Sequence, residues 1–299
     1  VAGGEGGAST VKPAAFDYVA PTTVDDAVAA LDGDHRADVL AGGQSLLLEL
    51  RYRRRQPDLV VDINRIGALT SLGARDGDLV VGALARHDMF ESPVPGSGPL
   101  GTLLATAARH IAHPPIRALG TMAGSIAWAH PASEWCALAV ALDARIELRG
   151  RDGTRIVAAA DWFAGPHRTA RLPHELITAI RLPLLADTAG VAFLEHRRTS
   201  ASFAQVAVAV VLHVTEDVVT SARIGLANAA GTPVRAVAAE RSLLGAAPEP
   251  AAFDLAARIA AERDADPRPE PYADVEYRRH VVGTLTGRAL RLAHQDGGG

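Results

Sequence analysis

The sequence predicts a mixed helix-and-strand protein in two domains, on three observations. At 299 residues it is about twice the usual length of one domain. Segments with apolar residues at helical spacing are interleaved with short β-branched runs flanked by Pro, Asp and Gly. The texture then changes beyond Pro183, which places the break in Leu182–Gly190, LPLLADTAG, a stretch with turn-forming residues at both edges. A chain of this length buries about three quarters of its unfolded surface, enough for a conventional core.

In chain order, Val1–Thr10 lacks the basic and apolar regions of a secretory signal and reads as a flexible tail, as do residues 295–299. Structure is expected to begin near Val11, with domains over residues 11–185 and 190–294. Thr22–Leu31 carries an N-cap candidate and apolar residues at 24, 27, 28 and 31, a helical spacing. Val39–Ala41 is a short apolar run ending in Gly42–Gly43, and Ser45–Arg53 resumes a helical pattern. Leu59–Ile63 (LVVDI) and Leu79–Ala83 (LVVGA) read as strands. Thr102–Ala112 is expected to be helical until Pro114–Pro115 stops it. Ala118–Ala129, rich in small residues, reads as an irregular close-packed stretch, followed by a helix over Ala132–Leu142. Arg145–Arg149 and Arg155–Ala158 read as strands around the Arg151–Thr154 turn. Val206–Val214, apolar except at His213, and Ser221–Ala227 are further strands. Arg235–Leu244, Ala251–Ala261 and Val275–Ala293 read as helices.

Composition excludes several function classes. Apolar residues at 48% and charged residues at 21% rule out wholesale disorder. Aromatics are only 4%, so the core must be built mostly from Ala, Val, Leu and Ile. Thirty basic against 34 acidic residues give a net charge of −4, without the concentrated basic face that nucleic-acid binding needs. RYRRR at Arg51–Arg55 reads as a solvated helix end. The single cysteine, Cys136, excludes a disulfide framework and any Cys-ligated zinc or iron–sulfur site within this chain. It reads as a small buried apolar residue and agrees with a cytoplasmic location. No apolar stretch reaches the roughly 18 residues of a membrane span.

Two constellations carry the candidate chemistry. In Leu40–Leu46, LAGGQSL, a strand runs into two glycines and a hydroxyl residue opens a helix. Glycines let the main chain take positive φ and approach a ligand closely, and free N–H groups there suit a phosphate. The alternative is a Gly-Gly turn with a serine cap. The second, Gly120–Ser125 (GTMAGS), again joins small residues to hydroxyls, and Glu134 follows in HPASE. Alone these are a tight-packing loop and a first-turn glutamate favoured by the helix dipole.

Read together, the segments resemble the FAD-binding medium subunit of molybdenum-containing hydroxylases, the carbon monoxide dehydrogenase and xanthine dehydrogenase flavoprotein family. Ala41–Leu46 matches its first flavin loop, AGG[HQ]SL. Asp58–Ile66 (DLVVDINRI) matches the next block, and Arg117–Glu134 (RALGTMAGSIAWAHPASE) the second loop. The likeness continues through ELITAIRLP, RIGLANAAGTPVRA and YRRHVVGTLTGRAL, in collinear order over about residues 12–294.

The resemblance implies an α+β fold: a two-subdomain FAD-binding domain of the vanillyl-alcohol-oxidase (PCMH) type, then a small α+β C-terminal domain. It implies non-covalent FAD with its pyrophosphate against Val39, Leu40, Ala41, Gly42, Gly43, Gln44, Ser45 and Leu46, and against Thr121, Ala123, Gly124 and Ser125. Glu134 then matches the acid that binds the sugar-alcohol chain, Ile111 and Phe203 flank the flavin ring, and Leu176 lies near a main-chain contact. The implied function is electron transfer from iron–sulfur clusters to O₂, NAD or another acceptor, beside a molybdenum-binding large subunit and an iron–sulfur small subunit. The sequence departs from the family at Ala118–Leu119 (Asn-Arg), Ala123 (Gly), His130 (Asp) and Ala201–Ser202 (Gly-Asp). Those departures leave a second reading, a stand-alone FAD-dependent oxidase or monooxygenase, self-associated and acting on a small molecule. A flavin-free assembly module is the third, which the retained AGGQS loop opposes. His110 and His113 lack a further ligand for a metal site, and Ser45 lacks the G-x-S-x-G elbow of a hydrolase.

Overall fold

The computed structural model describes residues 12–33, 36–200, 202–270 and 273–297. The tail expected over Val1–Thr10, the start at Val11, position 201 and the last two residues lie outside the described residues. Three structural layers follow one another along the chain. The first holds β1 (Asp17–Val19), α1 (Val24–Leu31), β2 (Ala37–Leu40), α2 (Leu46–Arg51) and β3 (Leu59–Asp62). Its three strands are parallel in the order β1-β3-β2, which requires crossover connections. The helix α1 supplies one and α2 the other. Thr23 caps α1 by accepting from the Asp26 N–H at 3.1 Å.

The second layer runs β4 (Leu72–Arg75), β5 (Asp78–Gly82), α3 (Gly98–Ala108), α4 (Pro114–Arg117), α5 (Met122–Trp128), α6 (Glu134–Ala141), β6 (Arg145–Gly150), β7 (Gly153–Ala158), α7 (Ala159–Trp162), β8 (Phe163–Gly165), β9 (Arg168–Thr169) and β10 (Leu176–Pro183). The antiparallel sheet β4-β5-β10-β6-β7 is its backbone, with β10 in the centre. The third layer is the antiparallel sheet β11 (Gly190–His196), β12 (Val206–Thr215), β13 (Val218–Ala227), β14 (Val234–Arg235), followed by α8 (Val237–Leu243), α9 (Pro250–Ile259) and α10 (Val275–Gly297).

The apolar run of β12 has a two-sided cause. Ala207, Ala209 and Val211 face a core shared with Trp135 and Leu138 of α6. Val206, Val208, Val210 and Leu212 face a second core with Val282, Leu285 and Leu290 of α10. Strand alternation therefore buries every residue from 206 to 212, and α6 is locked against the C-terminal sheet.

Three expectations need correction. Ala118–Ala129 is not irregular throughout, because Thr121 accepts from the Gly124 N–H at 3.0 Å and starts α5, whose small residues pack closely. Pro114–Pro115 does not end the preceding helix. That helix stops at Ala108, and the prolines occupy the first turn of α4, where no N–H is needed. Residues 295–297 are not tail but the last turn of α10, held by the Val191 N–H donating to Asp296 at 3.1 Å.

Candidate functional site

The first glycine loop leaves β2, and the second connects α4 to α5. They meet through their main chains. A Cβ on Gly42 would lie 2.6 Å from the Gly120 Cα and closer still to the Leu119 carbonyl oxygen. Gly43 has φ +72°, a conformation that L side chains rarely adopt. A side-chain bridge fixes the two loops: Asn64 Nδ2 donates to the Ala41 carbonyl at 2.9 Å, Arg86 Nη2 donates to Asn64 Oδ1 at 2.6 Å, and Arg86 Nη1 donates to the Leu119 carbonyl. The Gln44 side chain donates to the Gly42 carbonyl at 3.0 Å.

The loops form one wall of a cleft that opens to solvent, about 960 Å³ out to its mouth. Val39, Ala41, Gly42, Gly43, Gln44, Ser45, Leu46, Thr121, Ala123, Gly124, Ser125 and Leu176 all line it. Among the described residues, the N–H groups of Gly43, Gln44 and Ser45 have no hydrogen-bond acceptor in the chain. The helices α2 and α5 are too short to offer much dipole, which leaves the loop amides as the groups free to donate to an anion. Ser45 does not cap α2 with its side chain, which leaves its hydroxyl uncommitted to that role.

Four expected residues lie outside the lining. Leu40 points to the opposite face of β2 from Val39 and packs on the Gly43–Leu47 turn. Ile111 is buried in the first core, and Glu134 is buried in the first turn of α6. Burial pushes the Glu134 carboxyl up to about 7, with Arg197 opposing the shift. Phe203 is 59% exposed and stacks face to face on His130, with ring centroids 4.1 Å apart.

Several lining residues had no sequence signal of their own. His87 is buried between the loops, its Nδ1 accepting from Trp135 Nε1–H at 2.9 Å. Burial, reinforced by Arg117 and Arg86, lowers its pKa to about 4. The ring is therefore neutral, with its proton on Nε2 beside Gly120. At the other end, Arg55 forms a two-pronged ion pair with buried Asp38. Arg171 donates to the Glu175 carbonyl at 2.7 Å. Burial holds the Arg171 guanidinium below the usual arginine range. RYRRR is a solvated helix end, exposed at all five positions, and its last residue, Arg55, also reaches the rim of the cleft through its ion pair with Asp38.

The donor set fits FAD. Unpaired amides and the Arg171 guanidinium suit a pyrophosphate, Arg55 being already neutralised by Asp38, and the Gly42–Leu119 contact removes side chains from the wall it would lie against. The sequence matches the family described as FAD binding domain in molybdopterin dehydrogenase over residues 14–185, and CO dehydrogenase flavoprotein C-terminal domain over residues 191–293. The chain belongs to this flavoprotein family. FAD is its cofactor, and its α+β fold is that of the family. It is 35% identical to the carbon monoxide dehydrogenase medium chain of Hydrogenophaga pseudoflava, over 94% of this chain and 98% of that one. It is 33% identical to caffeine dehydrogenase subunit beta of a Pseudomonas species, over 96% and 99%. A solved structure of carbon monoxide dehydrogenase from Hydrogenophaga pseudoflava, lacking the Mo-pyranopterin moiety of its cofactor, superposes with a TM-score of 0.90. It is 36% identical and covers 95% of this chain and 99% of that one. No helix among the described residues of this flavoprotein is long and apolar enough to cross a membrane.

Proposed function

We propose that this chain is the FAD-carrying medium subunit of a molybdenum hydroxylase complex, working beside a molybdenum-binding large subunit and an iron–sulfur small subunit. The observation that carries the reading is the main-chain contact of Gly42 with Leu119, which joins two loops into one wall of the cleft. When bound, FAD supplies exchange of electrons one or two at a time. This chain's residues bind and orient it: the Gly43–Ser45 amides and Thr121–Ser125 against the pyrophosphate, Arg171 as counter-charge, Leu176 against the main chain side of the cleft. Glu134 receives the hydroxyls of the sugar-alcohol chain, and Ile111 and Phe203 border the ring.

Substrate oxidation then belongs to the large subunit, which agrees with the range of the relatives, from carbon monoxide to caffeine dehydrogenase chains. The stand-alone oxidase is not favoured, since the relatives matched almost end to end are chains and subunits of dehydrogenases. A cytoplasmic location accords with the single cysteine. Expression with the genes for large and small chains tests the proposal. A purified complex containing molybdenum, iron and one releasable FAD per copy of this chain is the expected result. A lone chain free of both metals that turns over an organic substrate with O₂ overturns it.

A further inference from the structure

Behind the residues expected at the flavin ring lies a group of buried polar side chains from three elements. The Glu195 side chain, near the end of β11, has no exposed surface. Among the described residues neither of its oxygens has a hydrogen-bond partner. The nearest cations stand off: Arg197 Nη1 is 3.8 Å from Oε1 and His110 Nδ1 is 3.8 Å from Oε2, both beyond hydrogen-bond reach. Arg197 instead donates from Nη1 to the His110 carbonyl at 2.6 Å, next to Ile111. His110 Nδ1 is itself buried and unpartnered. From α6 the facing group is Glu134. An ionised carboxylate so enclosed is heavily penalised unless a cation hydrogen-bonds to it, and Arg197 comes no closer than 3.8 Å.

We propose that Glu195 is a carboxylic acid in the folded protein, a positioning residue that keeps its proton so that Glu134 is the single anion offered to the hydroxyls of FAD. Of the charged groups facing it, Glu134 favours the acid and Arg197, held 3.8 Å away on the His110 carbonyl, opposes it. Burial, then the neighbouring Glu134, raise Glu195 to about 8 against the opposing pull of Arg197. Burial and Arg197 hold His110 down, so it is neutral and cannot serve as the counter-ion. Ionised, Glu195 would place a second buried negative charge beside Glu134 and draw Arg197 off the His110 carbonyl, shifting the backbone that carries Ile111. Neutral, it leaves both in place.

The FAD half of this proposal rests on the function proposed above; the protonation half does not, and the test separates them. Infrared spectra of the full chain without FAD should show a protonated-carboxyl band at pH 7 that disappears as pH rises past about 8. The component that titrates near pH 8 should be lost in Glu195→Gln and kept in Glu134→Gln, while Glu134 accounts for any component that titrates near 7. FAD titrations should weaken about tenfold for each pH unit above 8 in the wild type, the signature of one required proton, and stay level in Glu195→Gln, which mimics the acid. Absence of the band at pH 7, or its loss in Glu134→Gln alone, overturns the assignment. Should Glu195→Gln not fold, the wild-type titration still decides, because a band unchanged to pH 9.5 is equally fatal. An unchanged FAD pH profile beside the expected infrared result overturns the positioning role, and failure of FAD to bind at any pH overturns the flavin reading alone.

Discussion

Arg86 donates to Asn64 across 2.6 Å, and through that bond the two glycine loops are held as one wall. Asn64 follows β3 and reaches back to the Ala41 carbonyl, while Arg86 reaches forward to the Leu119 carbonyl. Neither residue lines the cleft, so both act through loop geometry. Replacing Asn64 with Ala removes the central link. Two hydrogen bonds are lost, each worth about 1 kcal/mol, so FAD affinity should drop by up to about thirtyfold. Arg86→Lys should do the same, since an ammonium cannot span two acceptors as the planar guanidinium does. Fluorescence titration of the purified chain with FAD checks both, and parent-like affinity in both variants would show the bridge to be idle.

The adjacent glycines predict two different losses. At Gly42 a methyl group would meet the main chain of Gly120 at 2.6 Å, so Gly42→Ala should push the loops apart, costing about 1–3 kcal/mol of stability as overpacking does and weakening FAD with it. Gly43 has no backbone in the way, but its φ of +72° suits no β-branched residue. Gly43→Val should therefore abolish FAD binding, while Gly43→Asn, which tolerates that conformation better, should retain part of it. Melting curves with and without FAD separate the two mechanisms. Equal behaviour of Gly43→Val and the parent would place the pyrophosphate elsewhere.

What could be read from the sequence depended on how local the cause was. The β-branched runs at 59–62 and 206–212 and the helices over 24–31 and 275–293 carry their own periodicity. The two glycine loops were legible because a glycine needed for main-chain contact has no substitute. Helix α5 was not, because its start depends on one Thr121 hydroxyl and its small residues resemble a packed loop. His87, Arg55 and Arg171 were missed for a different reason. They are carried by separate elements far apart in sequence, and only the fold brings them to one cleft. The strands β10 and β11 were unassigned from their own pattern, although β10 forms the middle of its sheet.

His87 gives a prediction in pH. Its Nδ1 accepts the Trp135 indole hydrogen, and protonation would put a second hydrogen into that bond while charging a buried ring beside two arginines. Its pKa is accordingly lowered from 6.5 to about 4, chiefly by burial. The sign follows directly. Above pH 6.5 the ring is neutral in both folded and unfolded chains, and the stability it contributes is fully present. Below 6.5 the unfolded chain takes up the proton and the folded one does not, so stability is lost as pH falls towards 4. The shift corresponds to about 3 kcal/mol across that window. His130, also lowered to about 4 by burial with His167 adding to it, acts in the same direction, so the wild-type Tm should fall steeply from pH 6.5 to 4. In His87→Asn the side-chain oxygen can still accept from Trp135 but nothing titrates, and the fall should become shallower by about one proton's worth. Measured Tm values at half-unit intervals over this range test it, and a His87→Asn curve parallel to the wild type would mean that His87 is not held neutral by the fold.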